Sequence, residues 1–376
     1  MATGKPNKPL GSVVPPVDNW LARQAAEDIL EPELPIVDPH HHLWDRAKHR
    51  YLLDELLADT GSGHKVTATV FVDCMAFYRE DGPDAMKPIG ETEFANGVAA
   101  MAASGVYGDT RACAAIVSHA DLTRGAAARE VLEAQVRAGN GRFRGIRHAG
   151  GWNASDDIPN SHTNPPKGLY ADARFREGFA QLAPLGLSFE AWQYHPQLPE
   201  VTDLAQAFPQ TSIILNHVGG PLGLGPYAGQ TEQTFADWKR GMLALARCPN
   251  VTVKLGGLGM RIGVFDFHTR DTPPTSQQIA AGWQPWIDTC IEAFGANRCM
   301  FESNFPVDKI TSGYAVLWNA FKRMAAGASA ADKAELFSGP VQSGSDPVNP
   351  TGPGRSRDTG GCGRAGCRFR PTRSAT

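Results

Sequence analysis

The sequence predicts an α/β fold, a single closed (β/α)8 TIM barrel, and three observations carry that expectation. Eight short apolar, β-branched runs recur along the chain, each followed by a polar or glycine-rich turn and then a helical stretch. Such alternation builds parallel βαβ units with right-handed crossovers. Six of the eight runs carry His, Arg, Glu, Lys or Asn at or just past their C-terminal ends, the face where barrels place their chemistry. The third observation is negative. No Gly-x-Gly-x-x-Gly turn follows an early run, as a doubly wound dinucleotide-binding sheet would require.

Residues 1–33 read as a polar, Pro-rich extension, with an amphipathic stretch from Trp20 to Leu30 able to dock as a short helix. The strand candidates follow at 35–38, 67–73, 114–117, 143–147, 187–192, 212–216, 251–255 and 299–302. Helical stretches are expected at 91–104, 124–138, 172–184, 200–208, 231–247, 277–294 and 315–326. The barrel thus spans 34–338. Beyond it, residues 339–376 hold 8 Gly, 5 Pro and 6 Arg but no Leu, Ile, Lys or Glu. A segment with so little to bury is expected to be disordered.

Composition excludes several classes. Of 376 residues, 42% are hydrophobic and 20% charged, which suits a globular core. No run of 18 apolar residues exists, so no membrane helix is expected, and the first twenty residues lack the apolar centre of a secretory signal. A net charge of −3 removes the electrostatic reason to expect nucleic acid. The seven scattered cysteines form no Cys-x-x-Cys pair and read as reduced thiols in a cytoplasmic protein.

The strongest chemical signal is Asp38-Pro39-His40-His41-His42, directly after the first strand. Alternation puts His40 and His42 on one face and turns His41 away. Two such imidazoles can ligate one metal or converge on one carbonyl oxygen; the bland alternative is a histidine cluster capping a strand, with Asp38 as its local partner. His217 ends the sixth strand before Gly219-Gly220-Pro221 and would reach the same mouth. Glu190 and Trp192 share a face of the fifth strand: the carboxylate is a candidate metal or substrate contact, the indole a wall for a ring. Asp73 and Tyr78 are weaker candidates for that rim.

These motifs, in this order, resemble the amidohydrolase-related family of barrel hydrolases, in particular its fuconolactonase-like and pyrone-dicarboxylate-lactonase-like branch. The matching residues are His40-x-His42, Asn216-His217-x-Gly219-Gly220-Pro221, Lys254-Leu255-Gly256-Gly257-Leu258 and Ser303-Asn304-Phe305-Pro306, with 143–148 and 189–192 in support. The resemblance implies that His40, His42 and His217 hold a divalent metal, zinc by preference, or polarise the scissile carbonyl directly. It also implies that Arg147 binds a substrate carboxylate, which a planar guanidinium does well; the alternative is an ion pair closing the mouth. His148 points the other way and is left structural.

One position departs from the family pattern. The aspartate expected after strand eight, general base and often metal ligand, is Asn304 here. A neutral amide cannot take a proton from water near neutral pH. Glu302 shares a face with Asn304 and is one substitute; Asp308, in the loop, is another. Lys254 is the expected partner of a buried Glu302, either in catalysis or as a structural ion pair. Without the aspartate, metal binding is expected to be weak or absent.

The resulting expectation is a lactone hydrolase for a small, anionic organic or sugar acid. His40, His42 and His217 polarise the carbonyl, Glu302 or Asp308 accepts the proton of water, and Arg147, Glu190, Trp192, Lys254 and Tyr78 line the substrate. A metal-dependent decarboxylase on the same fold, and a catalytically dead ligand-binding barrel favoured by Asn304, are the rivals. Against relatives of this kind, the abrupt change after Gly339 reads as a C-terminus replaced by a frameshift. A basic binding tail is the alternative, but its arginines have only Phe369 for stacking, which is poor for nucleic acid.

Overall fold

The structure is a computed structural model that describes residues 15–343. Eight strands form one parallel sheet in sequential order. They are β1 (Ile36–His41), β2 (Val66–Val72), β3 (Arg111–Ser118), β4 (Phe143–Arg147), β5 (Ser188–Ala191), β6 (Ile213–Leu215), β7 (Val251–Leu255) and β8 (Cys299–Phe301). Each of the eight predicted runs overlaps one of them.

The sheet curls until its edges meet. His42 N–H donates to Phe305 O at 2.8 Å and Asn304 N–H to His40 O at 2.9 Å. Asp38 completes the seam: Oδ1 accepts from Ser303 N–H at 3.0 Å and Oδ2 from the Tyr314 hydroxyl at 3.0 Å. Burial pushes its carboxyl up to about 6. Asp38 is therefore a stitch between the first and last strands as well as a neighbour of the histidines.

Alternation sorts the side chains into two layers. Val70, Val72, Ala115 and Val117 form a small cluster of their own. Phe71 and Ile116, from the opposite faces of the same strands, belong to the large core. That core includes helices α1 (Leu53–Thr60), α2 (Ile89–Ala103), α3 (Ala128–Ala138), α4 (Ala173–Phe179), α5 (Leu198–Ala207), α6 (Thr231–Leu245), α7 (Ser276–Phe294) and α8 (Tyr314–Met324). Trp44, Trp238, Trp283 and Trp318 are its largest fully buried members.

A hairpin that pairs Trp44–Arg46 with His49–Tyr51 right after β1, and the helix α1 that follows it, were not expected. The helix α9 (Ala330–Ser343) runs five residues past Ser338. On α9, Leu336 and Phe337 are 1% exposed, and Phe337 packs on Phe301 with ring centres 5.0 Å apart. The Trp20–Leu30 stretch is helical only over Asp18–Leu21. The rest docks by polar contacts: Glu27 accepts from Ser276 N–H at the start of α7, and Leu30 N–H donates to Asn319. The tail beyond Ser343 lies outside the described residues, as do Cys362 and Cys367. The other five cysteines are free and buried. Among the described residues no helix is long and apolar enough to cross a membrane.

Candidate active site

The C-terminal ends of β1, β4, β5, β6, β7 and β8 bring the predicted residues to one mouth, almost all buried. At its centre lies Glu302, just past β8 and 0% exposed. Its Oε1 is 2.7 Å from His217 Nδ1 and also accepts the His217 N–H at 3.0 Å. Its Oε2 is 2.7 Å from His40 Nδ1, close in distance but not aligned as a hydrogen bond. The His40 and His217 rings are 4.6 Å apart.

Two glycines permit this approach. A Cβ on Gly257, which has φ +69°, would sit 2.4 Å from the His217 side chain, and one on Gly256 would sit 2.4 Å from Glu302 O. His217 itself has φ +53°, a sparsely populated conformation for a side-chain-bearing residue and the kind of local strain found at functional sites. The Lys254–Leu258 motif is thus explained by space.

Burial holds His40, His42 and His217 well below the ordinary imidazole range, with the nearby Lys254 and Arg147 cations adding to the effect. Burial thus favours the neutral form of all three rings. Burial raises the Glu302 carboxyl to about 7, with Lys254 opposing the rise. His42 sits slightly apart, its ring centre 4.9 Å from that of His40. Its Nδ1 is 2.8 Å from Val72 O, and since a carbonyl only accepts, Nδ1 carries the proton and Nε2 is left as an acceptor.

Of two expected partnerships, one forms and the other is replaced. Arg147, read as a substrate clamp or as an ion pair closing the mouth, forms the ion pair: it donates Nε–H to Asp73 Oδ1 at 2.6 Å and Nη2–H to the Asp73 carbonyl. Its Nη1 lies 3.3 Å from His40 Nε2. A guanidinium buried this deeply needs a carboxylate, and the end of β2 supplies it. Lys254 pairs with Glu190 at 2.7 Å rather than with Glu302, because the inward side chains of β5 and β7 meet across the barrel. Asn216 also donates to Glu190, so that carboxylate is fully engaged in the structure.

Asn304 donates Nδ2–H to Asp308 Oδ1 at 2.9 Å, and its own Oδ1 is buried without a partner. Asp308 also accepts from Gly259 N–H, and burial pushes its carboxyl up to about 8. Trp192 sets its ring edge-on to His217 at 4.7 Å. The Tyr78 hydroxyl is buried with no partner. His41 faces the barrel wall and meets Thr69, as alternation requires, and His148 accepts from Leu122 N–H in a structural contact.

Sequence reasoning missed His162 and Glu91. His162 Nε2 lies 3.0 Å from Asp73 Oδ2, reaching in from the long loop after β4, where no periodicity marks it. Glu91 accepts from the Cys74 and Ala76 N–H groups at 2.9 Å and fixes the loop after β2. In sequence it reads as an acidic residue in the first turn of a helix.

Among the described residues, His40, His217 and Glu302 form a group able to hold a metal ion, with ligand atoms within 4.8 Å of one another. Two imidazoles and a carboxylate make a donor set that suits zinc, and the unaligned Oε2 contact leaves that oxygen available to a cation. The donor set fits. It also differs from the expected three histidines: Glu302 enters and His42 stands outside, held by Val72.

Residues 37–339 match the family described as Amidohydrolase. The chain is 33% identical to protein y4mH of Sinorhizobium fredii over 327 residues, 81% of this chain and 96% of that protein. It is 27% identical to an L-fucono-1,5-lactonase of Burkholderia multivorans over 169 residues, 45% of this chain and 54% of the lactonase. In fold it is similar to the crystal structure of an amidohydrolase from Burkholderia multivorans with bound zinc, at TM-score 0.62 and 24% identity, over 82% of this chain and 98% of that one. With its barrel, its clustered histidines and a match over most of its length, the chain belongs to the amidohydrolase family.

Proposed function

We propose that this amidohydrolase opens the ring of a small lactone by attack of water on the ester carbonyl. The observation that carries the reading is the buried Glu302 carboxylate, with one oxygen 2.7 Å from His217 and the other 2.7 Å from His40. The likeness to an L-fucono-1,5-lactonase supports the choice of a cyclic ester.

His40, His217 and Glu302 would hold a divalent ion. Such an ion supplies Lewis-acid polarisation of the carbonyl and a more acidic water. The chain's own residues do the rest. Glu302 accepts the proton of the attacking water, taking over the role that the amide of Asn304 cannot fill. His42, with its proton fixed toward Val72, presents Nε2 to the mouth. Asn304 offers its unpartnered Oδ1 as an acceptor for the water, oriented by its hydrogen bond to Asp308. Trp192 walls the ring against His217 and excludes bulk solvent. The Arg147–Asp73 and Lys254–Glu190 pairs keep the surrounding charges fixed.

The test is to incubate the protein with a panel of lactones, L-fucono-1,5-lactone and 2-pyrone-4,6-dicarboxylate among them, and weigh the products. A product heavier by one water is expected. Loss of carbon dioxide, or no turnover across the panel with or without added zinc, would contradict the reading.

A further inference from the structure

With Arg147 closed on Asp73, a second guanidinium at the same rim has no carboxylate partner among the described residues. Arg46 lies on the hairpin that leaves β1. Its Nη2 donates to the Cys74 carbonyl at 2.7 Å, one residue past Asp73. Its Nη1 is buried with no hydrogen-bond partner.

Two more buried polar atoms on this hairpin have no partner, Trp44 Nε1 and His49 Nδ1. The three side chains pack on one another. The Arg46 guanidinium carbon stands 4.4 Å from the Trp44 ring centre, and the His49 ring meets Trp44 edge-on at 5.3 Å. Trp44 is only 1% exposed. It also stacks on His42, with centres 5.9 Å apart and planes 18° apart. Residues 42, 44 and 46 alternate along an extended segment and so share a side.

Leaving buried donors unpaired is costly, and native proteins rarely gather several in one place. An indole N–H and a guanidinium N–H can only donate, so whatever completes them is an acceptor. The fixed positive charge asks for an anion, and the planar fork favours a carboxylate. We propose that this hairpin is the carboxylate subsite of the active site, with Arg46 and the Trp44 indole N–H holding a carboxylate on the substrate whose ring lies over His42. The ring rests on the lactone reading above; the carboxylate rests on the hairpin alone.

The experiment is calorimetric titration of the full chain with isophthalate, a planar dicarboxylate that cannot be hydrolysed, and with neutral isophthalamide as control. Wild type should bind isophthalate. Arg46→Gln should weaken that binding by at least about tenfold and leave isophthalamide unaffected, Arg46→Lys should recover part of it, and Trp44→Phe should weaken it less. If Arg46→Gln does not fold, Arg46→Lys decides: a loss confined to isophthalate supports the subsite, and an equal loss of both ligands overturns it. No binding to wild type, or unchanged isophthalate binding in Arg46→Gln, also overturns it. Should no lactone be opened while isophthalate binding still follows Arg46, the lactone reading fails and the subsite stands.

Discussion

Arg147 gives its Nε–H to Asp73 Oδ1 across 2.6 Å, from the end of β4 to the end of β2, with both side chains buried. Removing one partner of a buried pair strands the other charge, at a cost of about 3–5 kcal/mol. Arg147→Ala should therefore lower the free energy of urea unfolding by roughly that amount. A loss below about 1 kcal/mol, as for an exposed pair, would show that the pair is dispensable and return Arg147 to the role of substrate clamp.

His42 is held by one backbone carbonyl and sits at the mouth rather than in the packed layers. His42→Ala should cut lactone turnover by about 100-fold, as loss of a group that positions the attacking water through its Nε2 acceptor does, while circular dichroism and the melting temperature stay close to wild type. A well-folded variant with full turnover would remove His42 from the mechanism.

Asp308 carries a carboxyl raised from 3.8 to about 8 by burial. The folded state thus binds a proton that the unfolded chain releases near pH 4. That contribution to stability is whole below the unfolded value and is lost as pH rises toward about 8. Between pH 6 and 8 wild type should lose stability more steeply than Asp308→Asn, whose amide cannot ionise. Urea titrations at four or five pH values in that window give both slopes, and equal slopes would contradict the assignment.

The donor set of His40, His217 and Glu302 predicts one zinc equivalent per chain on titration of metal-free protein. Glu302→Gln should weaken binding by on the order of 100-fold, at the upper end of what even an outer-shell partner costs. Equal affinity in the two proteins would exclude Glu302 from the ligand set.

Much of this was legible in the sequence, for local reasons. Strand runs such as 67–73 and 251–255 and the histidines at 40 and 42 are set by alternation within a few residues. Pairings across the barrel are not local. Whether Lys254 meets Glu190 or Glu302 depends on which inward side chains reach each other after closure, and Arg147 found Asp73 for the same reason. His162 stands in a loop whose course is set by what it covers. The hairpin at 44–51 was missed because three-residue strands are too short for a period to show.

Turnover of the Glu302→Gln protein, on a lactone that the wild type opens, bears most directly on the claim that Glu302 replaces the carboxylate missing at Asn304. With zinc added to saturate both proteins, the side chain keeps its shape but can no longer accept a proton, so the rate should fall by about 10²- to 10⁴-fold, the contribution of a general base. A Glu302→Gln protein that keeps the wild-type rate would contradict the account.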